Sequence, residues 1–258
     1  MRFRSLASAP SALALTSVLT PLIMMAGTAQ ATNYGNFVGD TVTFEQVTDA
    51  DELFGSPIVS GDSLDFSPNT FEVQCPDGGS CPPTPALIDG TLTLQIRADA
   101  GYFIPEIVLS EAGDTTLTSF IDAFGATTVS ASVFVDVYEV DGVSVNNINA
   151  NAQMVFTSDG DFRSDEEGYG THLWSGSLSL DIDQIIAGAG ATGRATYLGI
   201  NLDNTLTAYA ADGATARIEK KDVDGLAITV IPEPGPTLLL GLGLAGLASV
   251  RRRGSDVS

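Results

Sequence analysis

Between Thr32 and Ile231 the chain alternates apolar and polar residues with a period of two. TLTLQIRA sets Leu92, Leu94, Ile96 and Ala98 on one face, and TVSASVFVDVYEV sets Val129, Ala131, Val133, Val135 and Val137 against Phe134, Asp136 and Tyr138. HLWSGSLSLDI directs Trp174, Leu178, Leu180 and Ile182 inward with His172 at the rim, and LAITVI adds Leu226, Ile228 and Val230. Successive side chains of a strand point to opposite faces, so this period predicts half-buried strands. YLGINLDNTLTAYA reads as two strands joined at Asp203-Asn204, a two-residue hairpin turn. Polar-glycine clusters punctuate the other runs. No apolar stripe of helical spacing lasts three turns, and IDQIIAGAGA holds one helical turn at most. The expected fold is all-β, a jelly-roll-like β-sandwich occupying residues 32–231 without internal repeat or linker.

The two ends depart from this pattern. Residues 1–31 begin with Arg2 and Arg4, continue through an apolar stretch and finish in Ala29-Gln30-Ala31. That is the layout of a secretory signal peptide with an A-x-A cleavage site, which makes Thr32 the expected mature N-terminus. An exported chain meets oxidising conditions, so Cys75 and Cys81, in CPDGGSCPP, are expected to form a local disulfide.

Charge narrows the functional classes. The body holds thirty acids against six bases, a net charge of −24. A surface this negative repels nucleic acid and anionic lipid and attracts cations, which excludes DNA or RNA as a partner. The acid-rich loop TSDGDFRSDEEGYG makes Asp159, Asp161 and Asp165, with Glu166 and Glu167 beside them, the candidate ligands for Ca²⁺, an oxygen-seeking cation. No EF-hand register is present, and no other cofactor is expected. GAGATG (Gly188, Gly190, Gly193) leads into a strand, and GLGLAG lies in the apolar tail. Neither stands between a strand and a helix as a dinucleotide site requires. His172 is the single imidazole, and there is no G-x-S-x-G, so no catalytic residue is assigned and the chain is not expected to be an enzyme.

The C-terminal stretch VIPEPGPTLLLGLGLAGLASVRRR has three parts: Pro232-Glu233-Pro234, an apolar run, and Arg251, Arg252 and Arg253. Proline interrupts a sheet ladder, so the triplet is expected to end the last strand. Thr237 to Val250 carry no charge and would span about 21 Å as a single helix. That is short of a hydrocarbon core of about 30 Å, so it makes a marginal span with the arginines on the cytoplasmic side. Residues 232–253, followed by the short tail 254–258, resemble a PEP-CTERM sorting signal. The resemblance implies export through the inner membrane of a Gram-negative bacterium, passing through a membrane-held intermediate. It also implies recognition by an exosortase, delivery to the cell surface or extracellular matrix, and an association with exopolysaccharide and biofilm matrix. The body phrases LFG-P-VSG-SL-F-P and I-LSE-GD also resemble a common kind of PEP-CTERM passenger, which implies location and fold but no reaction.

The expected function is therefore that of an exported, non-enzymatic surface or matrix protein, with exosortase and the secretion machinery as partners. The alternative is a carbohydrate-binding module acting on exopolysaccharide, Ca²⁺-assisted, with Trp174 and Tyr169 as its platform beside the acidic loop.

Overall fold

The computed structural model describes residues 31–76, 81, 84–221, 225–235 and 239–240. The strands are β1 (Thr32–Val38), β2 (Val42–Asp49), β3 (Ile58–Ser60), β4 (Ser63–Phe66), β5 (Glu72–Cys75), β6 (Ala86–Ala98), β7 (Tyr102–Ser119) and β8 (Gly125–Val140). They continue with β9 (Val143–Gln153), β10 (Val155–Phe156), β11 (Asp161–Arg163), β12 (Gly170–Asp181), β13 (Ala195–Ala210), β14 (Ala214–Lys220) and β15 (Leu226–Pro234). A seven-residue helix, α1 (Ile182–Gly188), stands between β12 and β13. The strands form two antiparallel sheets that pack as a sandwich. The first runs β1-β2-β6-β13-β8-β11, with β9 also on β8. The second runs β10-β12-β7-β15-β4-β3, with β14 bridging β5 and β7.

The alternation seen in the chain is the alternation of burial. Leu92, Leu94 and Ile96 of β6 and Val129, Ala131, Val133, Val135 and Val137 of β8 all lie in the core. Leu226, Ile228 and Val230 of β15 meet them from the second sheet, and Phe134 and Tyr138 stay outside. Apolar side chains from both sheets make one continuous cluster, so the driving force is removal of two apolar faces from water.

Three local expectations are corrected. Asp203-Asn204 is not a turn, because β13 runs unbroken through it. Asn204 pairs with Gly90 on one side and Ala131 on the other. A turn has to leave the sheet, and here both flanking ladders hold the backbone extended. IDQIIAG forms about two helical turns rather than one. Asp181 caps the helix by accepting a hydrogen bond from the Gln184 amide at 2.8 Å, and Ile182 and Ile186 bury one face. Finally, Pro232-Glu233-Pro234 does not end the last strand. β15 continues to Pro234, pairing Glu233 with Phe103 and Pro234 with Tyr102. The register shifts between Ile231 and Glu233, so Pro232 sits at an irregularity where no ladder donor is needed.

Strand β7 is the hinge of the second sheet. Along one edge it pairs with β15 from Tyr102 to Glu111 and with β14 from Gly113 to Ser119. Its inward positions include Glu111, Gly113 and Thr115, and Glu111 stands where one neighbour gives way to the next. The Glu111 carboxylate is buried, with Oε2 2.6 Å from Nζ of the fully buried Lys220 of β14. The Asn204 side-chain amide donates to its other oxygen. The rings of Phe71, Phe54 and Trp174 surround Lys220 Nζ at 5.3, 5.8 and 5.9 Å.

A second buried carboxylate, Asp49 at the end of β2, shapes the adjoining loop. Its Oδ2 accepts from the amides of Phe54 (2.8 Å) and Gly55 (3.3 Å), and its Oδ1 accepts from Leu53 (3.2 Å). This collar carries Phe54 into the core, edge-on to Phe71 at 5.3 Å.

Candidate functional site

The expected disulfide joins Cys75 to Cys81, with Cα atoms 5.7 Å apart. Both cysteines are buried, against Leu117 and the alanines of β13 and β14, so the bond fixes Cys81 to the end of β5.

The acidic loop does not converge on a point. Asp159 is exposed and left-handed at φ 52°. Asp161 is exposed on β11, opposite Thr128 of β8. Asp165 turns to Arg163 at 3.3 Å, Glu166 approaches the same guanidinium at 3.6 Å, and Glu167 accepts from the Ser158 hydroxyl at 2.7 Å. Among the described residues no three His, Cys, Asp or Glu side chains are grouped to hold a metal ion. Arg163 engages Asp165 and Glu166, so these two carboxylates turn to a guanidinium rather than toward Asp159 and Asp161.

Trp174 cannot serve as a glycan platform. It is 2% exposed, edge-on to Phe156 at 5.9 Å and close against Gly113. The same inward register that makes it a core residue removes its ring from any ligand. Tyr169 is exposed, with its hydroxyl donating to the Ala123 carbonyl at 3.1 Å, but it has no second aromatic partner in Trp174. His172 is half-buried, with Nε2 3.3 Å from the Gly168 carbonyl oxygen.

The outer face of the first sheet carries a better candidate. A bulge in β2, between Glu45 and Thr48, puts Gln46 in the left-handed region at φ 54°, with its amide held by Asn36 Oδ1 at 2.9 Å. This opens a groove across β2, β6, β13 and β8, lined by Gln46, Thr48, Gln95, Asp136, Tyr138 and Asn201. Tyr138 and Tyr197 pack with ring centroids 5.3 Å apart, and the Arg97 guanidinium lies 3.6 Å over Tyr197. Glu45 and Glu139 hold Arg97 from two sides, each at 3.3 Å. Gly199 leaves the space that Tyr138 uses, since a Cβ there would come within 2.5 Å of the phenol oxygen. Partial burial, aided by Asp136, pushes the Tyr138 phenol up from its usual value, so it stays a neutral hydrogen-bonding group. Amide, hydroxyl and carboxylate groups beside an aromatic face suit a ligand rich in hydroxyls. Alternation had already set Asp136 and Tyr138 outward. Their neighbours come from other strands, and periodicity alone does not pair strands.

At the other end of the fold, β15 delivers the chain to the tail. Glu233 pairs with Arg194, whose Nε is 3.6 Å from Asp183 of α1. Burial raises the Asp183 pKa, opposed by Arg194. Leu239 and Leu240 are helical, and the rest of the apolar run and Arg251–253 lie outside the described residues, as do Ala29 and the signal segment 1–30. Among the described residues no helix is long and apolar enough to cross a membrane.

Residues 230–253 match the model of the PEP-CTERM protein-sorting motif. No curated protein matches the chain. Among solved structures, TmCBM61 in complex with beta-1,4-galactotriose is similar at 8% identity over 69% of this chain and 90% of that one, with a TM-score of 0.20. Endoglucanase 3 from family GH12 of Trichoderma harzianum is similar at 5% identity over 79% and 97%, with a TM-score of 0.22. Similarity this low carries no functional inference.

Proposed function

Taking as premise that this is a PEP-CTERM sorting-domain-containing protein, we propose that it is an exported, non-enzymatic component of the cell surface or extracellular matrix. The motif implies processing by an exosortase and a surface or extracellular location in a Gram-negative bacterium. One observation carries the reading: the motif begins at residue 230, inside the last strand of the sandwich. The folded body and the sorting signal are therefore contiguous, and the sandwich is the cargo. No resident cofactor is needed for such a role. In top-down mass spectrometry of fractions from the native host, we expect a chain starting at Thr32 and ending near Pro232–Pro236, outside the inner membrane. A chain still ending at Ser258 in the membrane fraction overturns exosortase sorting.

A second reading is glycan binding by the outer face of the first sheet, favoured by the groove beside Tyr138. Exopolysaccharide is the expected ligand class, bound by stacking on the phenol and by hydrogen bonds to Gln46, Gln95 and Asn201. Retention on the host's own polysaccharide that is lost in Tyr138→Ala supports it, and no retention by the unaltered protein removes it.

A further inference from the structure

Glu111 of β7, Asn204 of β13 and Lys220 of β14 meet in the interior of the sandwich. All three lie at inward strand positions with exposures of 2%, 0% and 2%. The Glu111 carboxylate stands between two nitrogens, with Oε2 2.6 Å from Lys220 Nζ and Oε1 accepting from Asn204 Nδ2. Asn204 Oδ1 is buried without a hydrogen-bond partner, and Glu111 Oε2 and Lys220 Nζ meet only as an ion pair, with no hydrogen-bond partner of their own. Three aromatic rings enclose the ammonium. As separate groups these side chains are a poor core. An ion pair taken out of water recovers its desolvation cost only when every remaining polar atom is satisfied, and Oδ1 is not.

The arrangement also places a nucleophile, an acyl group and a proton carrier in one enclosed site. We infer that Lys220 and Asn204 become joined by an intramolecular isopeptide bond, formed by the folded protein itself with Glu111 as its catalytic residue. Glu111 first takes a proton from the Lys220 ammonium through Oε2, leaving a neutral amine. Burial favours that amine, because desolvation holds the lysine below its ordinary pKa while Glu111 opposes the shift. The Nζ lone pair then attacks Asn204 Cγ, forming the C–N bond and moving the carbonyl electrons onto Oδ1. As the tetrahedral centre collapses, the carbonyl re-forms and the Cγ–Nδ2 bond breaks. The second proton lost from Nζ passes through the Glu111 carboxyl to Nδ2, which departs as ammonia. Glu111 keeps the first proton as a neutral acid beside the new amide. Both buried charges are gone, and no oxidant, reductant or cofactor is required. The bond ties β13 of the first sheet to β14 of the second.

The test is a peptide map of the full-length chain, produced with its own export signal, reduced and digested with trypsin. Residues 195–217 hold Asn204, and trypsin ordinarily cuts after Arg217 and Lys220. The expected product is 195–217 covalently attached to 218–221, uncut after Lys220, lighter than the two peptides together by one ammonia, about 17 Da. Recovery of 195–217 with unmodified Asn204, together with cleavage after Lys220, overturns the proposal in the unaltered protein without need of any variant. Glu111→Gln, checked for native secondary structure by circular dichroism, is expected to lose the linked product. Full linkage in that variant overturns the role of Glu111.

Discussion

Gly113 of β7 lies opposite Trp174 of β12 so closely that a Cβ at Gly113 would fall 2.1 Å from the indole Cζ2. The backbone carbonyl of Glu219 would stand at 2.2 Å on the same added atom. Backbone cannot yield as a side chain can. Gly113→Ala is therefore expected to destabilise the fold by about 3 kcal/mol, the upper part of the overpacking range. Urea denaturation checks this, and a Trp174→Phe background relieves only one of the two clashes, so most of the loss should persist.

Asp49 accepts the amides that place Phe54 beside Lys220. Asp49→Ala leaves the buried Phe54 amide and the part-buried Leu53 and Gly55 amides without their acceptor. The expected loss is about 3 kcal/mol, with a midpoint shift in denaturant. Asp49→Asn keeps one acceptor oxygen and should lose less.

Tyr34 donates to Asp49 Oδ2 at 3.4 Å. Burial first, and then the Asp49 charge and hydrogen bond, push its phenol up from 10.0 to about 12. The folded state therefore holds this proton more tightly than the unfolded chain. Its contribution to stability is complete below pH 10.0 and is lost as the pH rises towards about 12. Ultraviolet titration of the phenolates should show a late-ionising tyrosine that is missing in Tyr34→Phe. The variant's stability should also fall less steeply over that window.

The Cys75–Cys81 bond closes a short loop, and the two cysteines themselves pack on a small alanine-rich cluster. Replacing both cysteines with alanine is expected to cost about 2 kcal/mol. For a domain of this size that is a fall in Tm of about 4–8 °C, measurable by calorimetry on oxidised protein and its variant.

Local features of the chain carried much of this. Period-two alternation in residues 91–98 and 128–140 corresponds to real strand faces, because a strand's two faces are set by the backbone geometry of the strand itself. Two cysteines six positions apart found each other, and the tail motif lies in contiguous residues. The same inward alternation, extended, would have flagged Glu111, Asn204 and Lys220 as polar residues at core positions. Asp-Asn has the composition of a turn, however, and an acidic chain makes any single carboxylate look like surface.

What the sequence determined by itself is the all-β class, the faces of the long strands, the disulfide and the sorting motif, since each depends on neighbours along the chain. The tertiary structure decided that Asn204 continues a strand, that Trp174 is walled in, and that Pro232 rides on a bulge of a strand still paired to β7. It also decided that one glutamate and one lysine are enclosed with one asparagine. Those outcomes depend on which distant strands become neighbours: β7 and β13 bring Glu111 and Asn204 together across 93 positions. Sheet pairing and sheet packing set that distance, and no local pattern contains it.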